Sequence, residues 1–234
     1  DALERSLVRT SAEKMVGDLF RGKQVDKVEC LECHTVSESV GSYTCVFSHV
    51  KGFRDLQEGL RGVYLQKERF EGDNAYACAT CKKKTKADLS HKLREVPRVL
   101  LVALQRFDFD TTTLTRTKIT SRFQYPASLQ MRPFMEDERG PGQEYDLAGV
   151  IVHQGSAHEG HYHAYLKDVL GEGFWTEPPG SSGSSSSSRE EGQWFDFDDS
   201  SIRPVTAWEA LDKPMEGKAS AYMLVYRAKP SLPT

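Results

Sequence analysis

Two Cys-x-x-Cys pairs constrain this chain more than any other feature: Cys30-Leu31-Glu32-Cys33 and Cys78-Ala79-Thr80-Cys81, with 44 residues between them. Two intervening residues let both thiolates of a pair turn toward one ion, and two pairs complete a tetrahedral site with sulfurs about 2.3 Å from zinc. Any fold must then bring the neighbourhoods of residues 30 and 81 together. The competing readings are four free buried thiols or disulfides. Disulfides do not suit a reducing compartment, and free thiols leave the paired spacing unexplained. The spacing therefore predicts one zinc held by Cys30, Cys33, Cys78 and Cys81. Four thiolates leave no open position for a substrate, which makes the site structural.

The fifth cysteine, Cys45, sits in the β-prone stretch Ser42-Tyr43-Thr44-Cys45-Val46-Phe47. No adjacent basic residue or helix start lowers its pKa, so it reads as a small buried hydrophobe rather than a nucleophile. With 234 residues, 38% of them hydrophobic, the chain can bury a core as one large domain or two small ones. Its 31 basic and 34 acidic residues give a net charge of -3, which argues against a nucleic-acid footprint. No apolar run is long enough to span a membrane and no signal-peptide pattern opens the chain, so the expected setting is intracellular, cytoplasmic or nuclear. The chain begins at Asp1 without a methionine, in a stretch with Leu3, Leu7, Val8, Met15, Val16, Leu19 and Phe20 at helical spacing. It reads as a piece of a longer protein.

Short apolar runs predict buried strands over Val99 to Phe107 and Ala221 to Tyr226, and Leu56, Leu60 and Val63 predict a helix over Asp55 to Tyr64. Thr206 followed three residues later by Glu209 reads as a capping box, with Pro214 stopping that helix early. The class is α+β. Between residues 177 and 192 the chain turns to Pro178-Pro179-Gly180 and a serine run, a composition that cannot bury a core and predicts a disordered insertion, natural or engineered.

Two further segments carry chemistry. Leu147 to His153 is mostly apolar and ends in a turn-prone stretch, and a second run starts at Gly160-His161-Tyr162-His163-Ala164-Tyr165, so the two predict a hairpin. Alternation sets His161, His163 and Tyr165 on one face. In Trp194-Phe195-Asp196-Phe197-Asp198-Asp199, it puts Trp194, Asp196 and Asp198 on a face opposite Phe195 and Phe197. A histidine opening one strand and a carboxylate closing another are what a general base and its orienting acid require. Periodicity leaves Asp196 and Asp198 equivalent. His153, His158 and His163 read as structural, although His153, His161, His163 and an aspartate also compose a rival metallohydrolase set that lacks any known spacing.

Leu19-Phe20-Arg21-Gly22, the two cysteine pairs, Leu104-Gln105-Arg106-Phe107, Tyr125-Pro126 with Leu129 and Met131, Val152-His153 leading to Gly160-His161-Tyr162, Trp194 to Asp199, and Tyr222 to Tyr226 form an ordered series. In that order they resemble the ubiquitin-specific proteases, papain-like deubiquitinases built as thumb, palm and fingers. The resemblance implies a mostly antiparallel palm over about 96–234 and zinc-bearing fingers over about 25–95, with most of the thumb missing. It implies His161 as general base. It selects Asp198 as the orienting acid through Trp-x-x-Phe-Asp-Asp, and puts Asp199 on the oxyanion side. The implied activity is thiol-dependent hydrolysis at the ubiquitin C-terminus, with ubiquitin and ubiquitinated proteins as partners and neither nucleic acid nor membrane. The family's nucleophilic cysteine and the asparagine ahead of it are absent from this stretch, so the chain alone is expected to be inactive. A noncatalytic ubiquitin-binding scaffold of the same fold is the alternative.

Overall fold

Apolar runs broken by turn residues give sixteen strands and four short α-helices in the computed structural model, which describes residues 2–138, 143–169 and 192–230. The first half contains α1 (Ala2–Leu7), α2 (Met15–Phe20), β1 (Gly22–Cys30), β2 (Val36–Tyr43), β3 (Cys45–His49), α3 (Leu56–Tyr64), β4 (Glu68–Phe70), β5 (Tyr76–Cys78), β6 (Lys83–Thr85) and β7 (Ala87–Glu95). The second contains β8 (Val99–Gln105), β9 (Phe107–Asp110), β10 (Thr115–Lys118), β11 (Ser128–Gln130), β12 (Glu144–Gly155), β13 (Gly160–Lys167), β14 (Trp194–Asp198), β15 (Ser201–Val205), α4 (Ala207–Leu211) and β16 (Ala219–Ala228). The serine run predicted as an insertion lies, apart from Gly192, outside the described residues.

Two sheets carry the architecture. A four-stranded antiparallel sheet runs β2-β1-β7-β4, and an eight-stranded one runs β15-β14-β13-β12-β16-β8-β3 with β11 appended to β12. Only the β3–β8 pairing of the larger sheet is parallel. Two-stranded ribbons, β9–β10 and β5–β6, complete the set. Residues 45–64, inside the stretch assigned above to the fingers, contribute β3 to the larger sheet and α3 beside it.

The helices follow their local signals. Asp55 caps α3, its Oδ1 accepting from the Glu58 amide at 2.9 Å, and Leu56, Leu60 and Tyr64 line the buried face at i, i+4, i+8. Gly59 is required where α3 crosses β3, since a Cβ there would overlap the His49 carbonyl. The Thr206–Glu209 capping box forms as predicted, and Pro214 falls in the 3-10 turn that ends the segment. The N-terminal helical pattern divides into α1 and α2, with Arg9 between them at a φ of 64°.

The core lies under β12, β16 and β8, where Val150, Leu224, Val102 and Leu100 are fully buried. Each such side chain contributes about 1.5–3 kcal/mol by leaving water. The run Val99 to Phe107, read as one strand, breaks at Arg106. That side chain is 1% exposed and donates to four carbonyls: Nε to Ala221 at 2.8 Å, Nη1 to Ile119 and Ser121 at 2.9 and 3.0 Å, and Nη2 to Met215 at 2.8 Å. Burial pushes its pKa down to about 10, so it stays charged at neutral pH, compensated by the carbonyl dipoles and by the face of the Phe123 ring 6.0 Å away. Among the described residues no helix is long and apolar enough to cross a membrane.

Candidate functional site

The two cysteine pairs sit at corresponding places on two tight turns. Cys30 ends β1 and Cys78 ends β5. In each turn the residue after the second cysteine donates its amide back to the first: His34 to the Cys30 carbonyl at 2.9 Å, Lys82 to the Cys78 carbonyl at 2.8 Å. Both residues are left-handed, with φ of 57° and 56°. The turns face each other so that Cys30 Sγ lies 3.9 Å from Cys81 Sγ, and Cys33 Sγ lies 3.7 Å from Cys78 Sγ. Sulfurs about 2.3 Å from a tetrahedral zinc stand about 3.8 Å apart, so the four thiols have the dimensions of a zinc site. All five cysteines are free of disulfides.

The electrostatics of the cluster favour a cation. The Cys33 amide, followed by the Thr85 hydroxyl at 3.3 Å, lowers the Cys30 thiol to about 6. Cys81, hydrogen-bonded to Cys33 first and penalised by burial second, is pushed up to about 12. Thiols packed this closely cannot all ionise without a positive charge among them, and Zn2+ would supply it. The left-handed Lys82 is exposed. Relieving its Cβ strain outweighs the extra freedom of the unfolded chain, so Lys82→Gly is expected to raise stability by about 0.5–1 kcal/mol. Chemical denaturation of the zinc-loaded protein reads this directly, and a drop in midpoint would refute it.

Within the larger sheet, β12 and β13 form the predicted hairpin, with Val152 opposite His163 and Gly155 opposite Gly160. Gly160 packs so closely on the His153 ring that any Cβ would overlap it, which explains a glycine directly before His161. Lys118, at the end of β10, fastens the β12 end by donating to the carbonyls of His153 and Lys218 at 2.7 Å each, and more weakly to that of Gly155 at 3.4 Å. Burial lowers its pKa to about 8. Nothing in the alternating Thr115-Arg116-Thr117-Lys118 foretells this role.

His161 and Asp198 meet across β13 and β14, with Nε2 at 2.5 Å from Oδ1. Nε2 donates to the carboxylate, which leaves Nδ1 as the acceptor for another proton. Both side chains are nearly half exposed, at 45% and 48%. Hydrogen bonding to Asp198 raises the His161 pKa, and the same bond lowers that of Asp198. Asp199 follows at a φ of 49° in the tight β14–β15 turn, and its carboxylate lies within 4.8 Å of the His161 and Asp198 ligand atoms.

Asp196, which alternation could not tell from Asp198, is occupied otherwise. It accepts from His163 Nδ1 and from Arg203 Nη2, both at 2.8 Å, with the aspartate and imidazole 7% and 10% exposed. His153 is buried edge-on against Phe107 with ring centroids 5.3 Å apart. The rival grouping of His153, His161 and His163 around a metal therefore does not form among the described residues. Cys45 is half-buried in β3, hydrogen-bonded to the Val46 carbonyl at 3.4 Å, and burial raises its thiol pKa.

Comparison with known proteins agrees with the fold. The chain is 40% identical over 176 residues to human ubiquitin carboxyl-terminal hydrolase 40, an alignment covering 74% of this chain and 14% of that protein. It is 26% identical over 305 residues to human ubiquitin carboxyl-terminal hydrolase 47, covering 98% of this chain and 21% of the other. Among solved structures it resembles the SAGA DUB module of Ubp8, Sgf11, Sus1 and Sgf73 bound to monoubiquitin. The TM-score is 0.71 at 24% identity, over 92% of this chain and 42% of that one. The chain thus spans a minor part of the relatives it matches. The family profile described as ubiquitin carboxyl-terminal hydrolase matches residues 1–226, nearly the whole sequence, and the chain belongs to that family.

Proposed function

We propose that this chain supplies the histidine, the orienting carboxylate and the ubiquitin-facing scaffold of a cysteine-type ubiquitinyl hydrolase whose nucleophile lies in a segment preceding Asp1. The observation that carries this reading is the His161–Asp198 contact at 2.5 Å, half exposed, where β13 begins and β14 ends. His161 is the general base, Asp198 its orienting acid, and Asp199 a positioning group on the oxyanion side.

The five cysteines of the chain support an external nucleophile. Four belong to the zinc cluster. Cys45 lies on β3, four strand spacings from β13 in the order β13-β12-β16-β8-β3. At about 4.8 Å per spacing that is about 19 Å, far beyond the reach of one hydrogen bond. Zinc, held by Cys30, Cys33, Cys78 and Cys81, would supply a rigid cross-link and no reaction chemistry.

In the complete protein, His161 Nδ1 takes the proton of the cysteine thiol, and Asp198 stabilises the resulting imidazolium. The thiolate attacks the carbonyl at the ubiquitin C-terminus. The new S–C bond replaces the C–N bond as His161 returns the proton to the leaving amine. Water then attacks the thioester with His161 again as base, and free ubiquitin and the thiol are regenerated.

A C-terminal ubiquitin electrophile tests this. The chain alone is expected to remain unlabelled at Cys45, and the longer protein containing the upstream segment is expected to label at a cysteine there. Labelling of Cys45 would overturn the assignment, and a folded longer protein that binds ubiquitin without reacting would make the fold a noncatalytic scaffold.

A further inference from the structure

The face of β13 and β14 that carries His161 and Asp198 also carries a second histidine, two residues after His161 on β13, and a second aspartate, two residues before Asp198 on β14. Four titratable groups on one face allow more than one pairing, and the ladder itself favours a different one from that observed. Ala164 stands opposite Phe197 and Tyr165 opposite Asp196. Continuing this register by one step sets Asp198 directly across from His163, not from His161. Directly opposed residues have Cβ atoms about 4.5–5.5 Å apart, against about 7–8 Å for diagonal neighbours. On strand geometry alone, His163 is the nearer partner for Asp198.

Both observed pairs are diagonals of the same sense. His163 reaches Asp196 at 2.8 Å, and His161 reaches Asp198 at 2.5 Å. The largely buried imidazole of His163, 10% exposed, needs an acceptor, because an unpaired polar group out of water costs about 1–3 kcal/mol. Asp196 meets that need and is itself fixed from the other side. Arg203 donates to its second oxygen at 2.8 Å, and Arg203 is in turn tied to Glu209 of the α4 capping box at 3.5 Å. The link runs from a helix cap through an arginine and an aspartate to the histidine, whose ring packs edge-on against Tyr165 with centroids 5.0 Å apart.

We propose that Asp196 is a positioning residue: clamped by Arg203, it captures His163 and so reserves Asp198 for His161. The inference rests on the reading of His161 and Asp198 as the functional pair. Without Asp196, the largely buried His163 turns to the carboxylate across from it, and His161 loses its partner while every residue of the proposed catalytic set is still present.

The test is a pH titration of the His161 imidazole in the 15N-histidine-labelled chain. Asp198→Asn is the reference and is expected to lower the His161 pKa. Asp196→Val is expected to lower it by a comparable shift with Asp198 intact, and to have no effect in the His163→Phe background, where the competitor is gone. Simple loss of a nearby negative charge would lower the pKa in both backgrounds alike, so persistence of the shift in the double variant overturns the proposal. So does an unchanged His161 in the single variant. If Asp198→Asn leaves His161 unmoved, the underlying pair itself is refuted, a distinct outcome. Asp196→Asn fills the same space should the valine variant not fold. It holds His163 more weakly than the carboxylate does and is expected to act in the same direction with a smaller shift, no shift counting against the proposal.

Discussion

Replacing Asp198 by asparagine in the complete protein is expected to lower kcat about 10³- to 10⁴-fold with little change in KM, the scale on which a histidine loses its correct tautomer and its counter-charge together. Asparagine fills the same space and its oxygen can still accept from Nε2, but it brings no negative charge to hold the imidazolium. The carboxylate raises the His161 pKa, and a thiolate–imidazolium pair persists only while His161 keeps its proton. The alkaline limb of the rate profile should therefore move to lower pH in Asp198→Asn. Asp196→Asn keeps the Asp198 carboxylate and still holds His163 in part through its amide oxygen, so it weakens the His161–Asp198 pair without removing it and should cost less. Equal losses from the two substitutions in the His163→Phe background, where nothing competes for Asp198, would sink the assignment of the orienting acid.

Zinc removal is the second large effect. Elemental analysis of the folded chain is expected to find one zinc. Structural zinc sites contribute about 10–16 kcal/mol of binding free energy, part of it realised as folding free energy. Cys78, 4% exposed, cannot lose its thiolate without leaving three others crowded around a vacancy. Cys78→Ser should abolish retention of the metal and lower the thermal midpoint by about 10–20 °C, at about 2–4 °C per kcal/mol for a chain of this size. A metal-free protein with the parental midpoint would remove the zinc assignment.

Much of this was legible in the sequence because it depends on near neighbours. The cysteine turns close over four residues, the capping box over three, and the β12–β13 hairpin follows from an apolar run, a turn and a second run. The choice between Asp196 and Asp198 was not legible from periodicity, since a period of two makes them equivalent by construction. The family motif favoured Asp198, and the structure shows why the contact falls there: Arg203 and His163 already occupy Asp196. The strand break at Arg106 is invisible in the sequence for another reason. Its acceptors lie 13 to 115 residues away, so no window along the chain contains them. The role of Lys118 is hidden likewise, since the acceptor carbonyls of this strand-end lysine belong to residues 35 to 100 positions away.

The route of the chain between the cysteine pairs governs when the metal can arrive. After Cys33 the backbone runs back through β2 of the smaller sheet, then leaves it, lays β3 in parallel beside β8, sends α3 across β3, and only then returns through β4 to Cys78. Parallel pairing between β3 and β8 is non-local and slow to form compared with the hairpin turns. The half-sites can each form early, but their meeting waits on a distant part of the molecule. Full-affinity zinc capture during refolding is thus expected to lag behind burial of the α3 leucines, as a timer set by the larger sheet. Stopped-flow refolding with a zinc-sensitive dye would show it, and capture at final affinity before that burial would contradict it.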